Sequence, residues 1–127
     1  QYGRVVPLLL KVAPDPQPAE IDDVVSVISE HVVDGLIVSN TTISRPDLLR
    51  SGSRQEQGGL SGKPLFALST SVLKSFYQRT EGKMPIIGVG GIASADDAYM
   101  KIRAGATLVQ LYSALVYQGF GLVRRIC

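Results

Sequence analysis

Short apolar runs alternate along the chain with segments in which apolar residues recur at helical spacing. The runs cover residues 5–12, 36–42, 85–89 and 107–111, and the last three are rich in β-branched residues. Runs of this kind are typical of parallel strands that are buried on both faces. Between the first two runs lies an amphipathic stripe formed by Ile21, Val24, Val25, Ile28 and Val32. The alternation predicts a parallel sheet whose strands are connected by helices.

Two more helices are predicted further along the chain. Ser69 is expected to cap the first of them, whose apolar stripe consists of Val72, Leu73, Phe76 and Tyr77. Ser94 is expected to cap the second, with Asp97 three residues on as its capping-box partner. The apolar positions of that helix are Ala95, Ala98, Tyr99 and Ile102. Ala104-Gly105-Ala106 is expected to end it.

Every predicted strand ends in polar residues or in glycine. The four ends are Lys11, residues 39–42, Gly90-Gly91 and Tyr112-Ser113. Active sites of parallel α/β folds lie at the carboxyl ends of the strands. The sequence therefore predicts one composite site to which all four strands contribute.

The last two strand ends suit a phosphate group. Gly90-Gly91 allows the backbone to turn sharply or to approach a ligand closely, and Tyr112-Ser113 adds hydroxyls and amides. In (β/α)8 barrels the loops after the last two strands commonly form a phosphate site. The chain has 127 residues, lacks an initiator Met and stops at Cys127 within a helical pattern, whereas such a barrel needs about 250 residues. We therefore expect residues 1–127 to supply roughly the last four βα units of one barrel domain, with the N-terminal half absent.

Lys11 and Asn40 are the two strongest single candidates for binding. An ammonium group within the apolar run around Lys11 is costly unless it meets an anion, which is either a bound ligand or a structural carboxylate. A lysine can also extend its head to solvent at a strand end. Asn40, with Thr41 and Thr42, could bind a planar ligand that carries carbonyl and N–H edges. The same side chains could instead bond their own backbone in a turn.

Residues 43–64 form a long polar stretch without clear periodicity, and a segment of that length is usually functional or disordered. Its second half, Gly58-Gly-Leu-Ser-Gly-Lys-Pro64, favours close approach of the backbone to a ligand, although an irregular connection would also fit. It lacks the Walker spacing because Pro64 follows Lys63, and the glycines at 88–91 lack the dinucleotide fingerprint.

Within these 127 residues, composition and residue spacing give no sign of several classes of site. The net charge of +2 is small and the basic residues are scattered, so no nucleic-acid footprint is visible. No group of residues has metal-ligand spacing, and no nucleophile–base pair or general base is evident. No run has the length of a membrane span, and no signal-peptide pattern is present.

Five motifs in order resemble the dihydroorotate dehydrogenase family. They are Leu10-Lys-Val-Ala-Pro-Asp15, Asp34-Gly-Leu-Ile-Val-Ser-Asn-Thr-Thr42, Gly58-Gly-Leu-Ser-Gly-Lys-Pro-Leu65, Ile86-Ile-Gly-Val-Gly-Gly-Ile92 and Ala104-Gly-Ala-Thr-Leu-Val-Gln-Leu-Tyr-Ser113. The chain looks most like the class 2, quinone-reducing, membrane-associated enzymes, and the resemblance covers nearly all of it. It departs from the family pattern in two places. Pro16-Gln17-Pro18 is unusual after Asp15, and Phe120 stands where the family usually has proline.

The resemblance implies an FMN-binding (β/α)8 barrel that oxidises dihydroorotate to orotate in the biosynthesis of UMP, with a quinone as final acceptor. Carried over by motif, the FMN contacts are Lys11, Ser39, Gly62, Gly91, Tyr112 and Ser113. Asn40 and Thr41 correspond to contacts with the orotate ring and its substituents. Lys11 would stabilise the anionic reduced flavin, and no metal is implied.

By the same resemblance, the catalytic serine base and the helical region that meets the membrane and the quinone lie upstream of these residues. This chain would then hold no catalytic base and would be inactive alone. The implied location is the mitochondrial inner membrane in a eukaryote or the cytoplasmic membrane in a bacterium.

Three alternatives stand beside this interpretation. One is another FMN barrel, of the dihydropyrimidine or dihydrouridine class, and the second is a phosphate-binding isomerase or synthase barrel without flavin. The third is a truncated, non-catalytic product that only associates. Four parallel strands leave two open edges, so the isolated chain is expected to aggregate or to dimerise edge to edge.

Overall fold

Four parallel strands lie side by side in the order in which they occur along the chain. A computed structural model describes residues 6–47 and 49–127. Its strands are β1 (Leu9–Val12), β2 (Gly35–Val38), β3 (Ile86–Val89) and β4 (Leu108–Gln110). They form one sheet of order β1-β2-β3-β4, in which every neighbouring pair is parallel. The predicted parallel sheet with helical connections is confirmed.

Helices connect the strands and continue beyond the last one. They are α1 (Pro18–Glu30), α2 (Phe66–Arg79), α3 (Ala95–Arg103), α4 (Ser113–Gln118) and α5 (Gly121–Ile126). Two short 3-10 helices, Gly52–Gln55 and Lys63–Leu65, lie in the long connection between β2 and α2. The strand order does not reverse anywhere, as it would at the switch point of a doubly wound sheet. An unreversed order is the arrangement of consecutive strands in a barrel.

The core lies between β2, β3 and the helices α1 and α2. Its buried members are Ile21, Ile28, Leu36, Val38, Val72, Leu73, Phe76, Ile86 and Ala106. Leu36, Val38 and Ile86 are buried on the face of the sheet that meets the helices. Ile37, Ile87 and Val89, on the other face, are half-buried, so the predicted burial of these strands on both faces is confirmed only in part. The α1 stripe is confirmed as far as Ile28, but Val32 lies beyond the helix end and is 82% exposed.

Burial was predicted wrongly for the two outer strands. Leu9 and Leu10 of β1 are each 39% exposed, and Leu108 of β4 is 60% exposed. Each of these strands has a neighbour on one side only, so part of its surface remains open. The start of the first predicted strand, Val5, lies outside the described residues.

Two helix predictions also need correction. Helix α2 begins at Phe66, so Ser69 lies within it and is buried instead of capping it. In α3 the predicted apolar stripe faces the core only at Ala98, since Ala95 is exposed, Tyr99 is 62% exposed and Ile102 is 44% exposed. The buried residues of that helix are Ala98 and Lys101. In the described part of the chain, no helix is both long enough and apolar enough to cross a membrane.

Candidate functional site

A cavity of about 620 Å³ opens at the carboxyl ends of the strands. Its lining includes all eight residues that the sequence predicts for binding, namely Lys11, Ser39, Asn40, Thr41, Gly62, Gly91, Tyr112 and Ser113. These residues come from all four strand ends and from the long connection after β2. The structure therefore brings the predicted residues together, while their individual roles remain predictions.

The glycine turn after β3, Gly90-Gly91, is a part of the lining that packs tightly against α2. Gly90 has φ +106° and Gly91 has φ +75°, values that side chains rarely tolerate. A Cβ on Gly91 would lie 2.6 Å from both N and Cα of Phe66, in the first turn of α2. Only glycine fits here, because the backbone of the turn lies directly against the backbone of the helix.

The segment that follows the glycine turn is fixed by the predicted helix cap. Ser94 Oγ accepts a hydrogen bond from Asp97 N at 3.1 Å, and the Asp97 carboxylate accepts one from Ala93 N at 2.9 Å. Gln118 Nε2 of α4 donates to Ala93 O at 3.0 Å. The Ser94 cap is confirmed, but the predicted capping box is not complete, because the Asp97 carboxylate binds the amide of Ala93 and not that of Ser94. The Gln118 contact joins the loop after β3 to the helix after β4.

The residues after β2 are held by the strands on both sides. Ser39 N donates to Val89 O at 3.3 Å, and Asn40 N donates to Val12 O at 2.8 Å. Asn40 Oδ1 accepts from Thr41 N at 3.0 Å, so this side chain bonds the local backbone while it also lines the cavity. The two alternatives considered for Asn40 are therefore compatible.

Thr42 is a structural residue. It is buried, and its Oγ1 donates to the carboxylate of Asp15. Ser44 Oγ donates to the same carboxylate at 2.9 Å, and the Thr42 backbone bridges to Leu60. This network fixes the start of the long connection, directly after Thr41. Gly59 packs against Thr41 so closely that a Cβ on Gly59 would overlap Thr41 Oγ1.

Arg45 organises the rest of the long connection. Its guanidinium donates to six backbone carbonyls, at 2.6–3.4 Å, belonging to Thr42, Ile43, Ser44, Arg54, Glu56 and Gly58. The five N–H donors of an arginine in their fixed fork suit such a task. Sequence reasoning missed this residue, because backbone carbonyls leave no pattern in a sequence.

The end of the long connection reaches the beginning of α4. Ser113 Oγ donates to Ser61 Oγ at 3.0 Å, and Gly62 next to it has φ +76°. This contact closes the cavity between the connection after β2 and the end of β4. Tyr112 lines the same region but is 80% exposed.

The cavity carries positive charge. Lys11 and Lys63 both line it, and no carboxylate is found among the lining residues in the described ranges. Lys11 lies on the outer strand β1 and is exposed, so the prediction that strand burial makes its charge costly is wrong. Across residues 6–47 and 49–127, no cluster of His, Cys, Asp or Glu could hold a metal ion. The arrangement suits an anionic organic ligand.

The buried lysine of this chain is Lys101, which the sequence interpretation missed. It is fully buried, and its Nζ donates to Ser69 Oγ at 2.6 Å. Burial lowers the pKa of Lys101 from 10.5 to about 8, against a smaller opposing effect of the Asp97 carboxylate. The stem of Lys101 packs near Gly88 of β3, where an added Cβ would lie 3.0 Å from Leu73 Cδ1, 3.1 Å from Ala106 Cβ and 3.4 Å from Lys101 Cβ.

A glycine turn, hydroxyls and cations at the carboxyl ends of parallel strands are features of the phosphate-binding end of (β/α)8 barrels. The family model described as dihydroorotate dehydrogenase matches residues 3–127. The chain belongs to the dihydroorotate dehydrogenase family. The predicted family resemblance is thus confirmed.

Curated relatives and solved structures agree with this. The chain is 59% identical over 127 residues to "Dihydroorotate dehydrogenase (quinone)" of Bradyrhizobium diazoefficiens, covering 99% of this chain and 35% of the relative. It is 59% identical over 120 residues to the protein of the same name from Parvibaculum lavamentivorans, covering 94% and 34%. The ligand-free DHODH (dihydroorotate dehydrogenase) of Eimeria tenella superposes with a TM-score of 0.94 at 46% identity, covering 98% of this chain and 35% of that one. The fold prediction of a (β/α)8-barrel portion is confirmed, and the chain spans about a third of the length of these relatives.

Proposed function

We propose that these residues form the cofactor side of a quinone-dependent dihydroorotate dehydrogenase, which oxidises dihydroorotate to orotate in pyrimidine biosynthesis. The observation that carries the proposal is the convergence of residues from four strand ends on one cationic cavity. Family membership and the quinone-dependent relatives support it. In this proposal residues 1–127 are the C-terminal part of a single barrel domain, and the full-length enzyme contains the rest of the barrel.

The cavity fits FMN as the cofactor. Its volume of about 620 Å³ lies within the range of small-molecule sites, roughly 300–1,000 Å³. Gly91 leaves no space for a Cβ, so the backbone can approach a phosphate closely. FMN would be held by Lys11, Ser39, Gly62, Gly91, Tyr112 and Ser113. When bound, it supplies the hydride acceptor.

Residues of this chain would bind the cofactor, orient the substrate and polarise the bound ring system. Lys11 would place its ammonium group beside the bound ring system, where it favours added negative charge. Asn40, whose amide both donates and accepts, and Thr41 would orient the substrate ring. From the family resemblance, we propose that the serine base and the quinone entrance lie in the remainder of the enzyme. Membrane attachment, mitochondrial or bacterial, would likewise depend on that remainder.

The proposal predicts the behaviour of the full-length enzyme directly. It should purify with about one FMN per chain and reduce a quinone analogue only when dihydroorotate is added. Lys11→Met should weaken FMN binding or slow reduction of the bound flavin by dihydroorotate, and Asn40→Ala should raise KM for dihydroorotate. Lys74→Met, on the exposed side of α2, is the matched control and should change none of these.

The alternatives give different results in the same assays. A phosphate-binding isomerase or synthase barrel would bind no flavin and would purify colourless. A flavin barrel of the dihydropyrimidine or dihydrouridine class would purify yellow, but dihydroorotate would not bleach it. Unchanged FMN occupancy together with unchanged flavin reduction in Lys11→Met would remove the role assigned to that lysine.

We propose further that the isolated 127-residue chain self-associates. Both outer strands expose apolar side chains, with Leu9 and Leu10 on β1 and Leu108 on β4. Open parallel edges offer unpaired N–H and C=O groups to another chain. Light scattering should detect dimers or larger species, and a monodisperse monomer would contradict this.

A further inference from the structure

The side chain of Lys101 ends directly behind the glycine turn after β3. Its Nζ donates to Ser69 Oγ at 2.6 Å and lies 3.4 Å from Val89 O, the carbonyl that precedes the turn. Ser69 Oγ in turn lies 3.1 Å from Gly90 O and 3.2 Å from Phe66 O, and its one hydrogen can be donated to either carbonyl. The ammonium is also 5.1 Å from the centre of the Phe66 ring, which belongs to the helix turn that packs on Gly91. Every contact of this ammonium thus leads to the glycine turn or to its support.

The lysine has no carboxylate partner within ion-pair distance. The ion pairs in the described part of the chain are Arg79–Asp22 and Lys83–Glu81, and neither involves Lys101. The Asp97 carboxylate acts on this ammonium only from beyond ion-pair distance. A fully buried ammonium whose direct contacts are a hydroxyl, a carbonyl and a ring face is costly to desolvate. An apolar side chain could fill the same space without that cost. The buried position of the Lys101 ammonium is explained if an anion binds on the other side of the Gly90-Gly91 turn.

We propose that Lys101 is a positioning residue for the cofactor phosphate: through Ser69 it fixes the Gly90-Gly91 turn, and it supplies a buried positive charge behind that turn. The inference rests on the proposed function, since it takes the phosphate of FMN as the anion. Lys101 does not line the cavity, so it acts through the turn and not by contact. Low-dielectric surroundings make such a charge more effective than one exposed to water.

The decisive experiment compares FMN with riboflavin, which lacks the phosphate. The full-length apoenzyme is titrated with each ligand at low salt, and the ratio of the two Kd values is the readout. Wild type should prefer FMN. Lys101→Met, which keeps the apolar stem, should reduce that preference about tenfold or more, equivalent to about 1.4 kcal/mol, while the Kd for riboflavin changes little. Lys101→Arg should retain part of the preference, and the surface variant Lys74→Met should retain all of it.

Each outcome has one meaning. Equal binding of FMN and riboflavin by wild type would overturn the phosphate site itself, and with it the proposed function. A wild-type preference that survives intact in Lys101→Met would overturn the present inference alone. If Lys101→Met weakened the binding of FMN and of riboflavin equally, Lys101 would have a packing role, and the present inference would also be overturned.

A second variant covers the case in which Lys101→Met does not fold. Ser69→Ala removes only the hydroxyl that joins the ammonium to Gly90 O. It should lower the FMN-to-riboflavin preference by about threefold, the effect of losing one hydrogen bond. An unchanged preference in Ser69→Ala would overturn the inference.

Discussion

The glycine turn after β3 and the long connection after β2 line the same cavity but are fixed in opposite ways. The turn is short and lies on packed atoms, with Gly91 against Phe66 and Lys101 behind it. The connection runs over the surface and depends on polar bonds, six of them from Arg45. A side chain added to the turn therefore disturbs the core, whereas a change in the connection should remain local.

Gly91→Ala should give the largest effect. The new Cβ would lie 2.6 Å from backbone atoms of Phe66, at a φ of +75°. Backbone strain and overpacking together should cost about 2–4 kcal/mol in the free energy of unfolding, with loss of FMN binding. Urea unfolding of the full-length enzyme measures it. Gly52→Ala, where no atom lies within 4 Å of the added Cβ, should stay within about 0.5 kcal/mol of wild type, and similar losses at both sites would abolish the contrast.

The pH dependence of stability should report on the lysine behind the turn. Burial lowers the pKa of Lys101 from 10.5 to about 8, so between these values the unfolded chain binds a proton that the folded chain has released. Stability from this group therefore rises with pH in that window, by at most about 1.4 kcal/mol per pH unit. Lys101→Met should remove this contribution, measured as the difference from wild type between pH 8 and 10. If the free energy of unfolding changed with pH equally in wild type and in Lys101→Met, the lowered pKa of Lys101 would be contradicted.

Arg45→Lys should affect the connection alone. A lysine cannot reach six carbonyls at once, so backbone amides in residues 43–59 should exchange hydrogen faster, corresponding to about 1–2 kcal/mol of local stability. The global free energy of unfolding should change less than that. Hydrogen exchange followed by mass spectrometry measures both quantities, with Arg124→Lys on α5 as control. Accelerated exchange throughout the sheet would mean that the connection is part of the core.

Ser61→Ala should give the smallest effect. It removes one exposed hydroxyl contact, the 3.0 Å bond with Ser113 Oγ. The expected loss of stability is about 0.5 kcal/mol, with a modest rise in the Kd for FMN. A double-mutant cycle with Ser113→Ala isolates the pair, and a coupling near zero would show that the two regions are independent at this point.

Local signals account for what the sequence predicted correctly. The β-branched runs of β2 and β3, the stripe of α1 and the Ser94 cap each depend on residues a few positions apart. The polar strand ends were predictive because parallel strands bring their carboxyl ends to one edge. For this reason the seven predicted binding residues at strand ends were found around one cavity, which Gly62 of the long connection also lines.

The errors arose where burial depends on distant neighbours. Lys11 was interpreted as buried from the apolar residues around it, but its strand is at the sheet edge. Lys101 was passed over because a charged residue is not counted in an apolar stripe, although its stem packs near Gly88 of β3. Ser69 looked like a cap because hydroxyls favour helix starts, whereas its hydroxyl serves Lys101 inside the fold.

The unreversed strand order has a consequence for the way the chain is made. Each strand pairs with the one synthesised just before it: Leu9 pairs with Gly35, Leu36 with Ile86, and Ile87 with Leu108. On a ribosome, a newly emerging strand therefore finds its partner edge already outside the exit tunnel. The longest wait falls between β2 and β3, while residues 39–85 emerge. During that interval the open edge of β2 is where a nascent chain would be most exposed to wrong pairing and most in need of a chaperone.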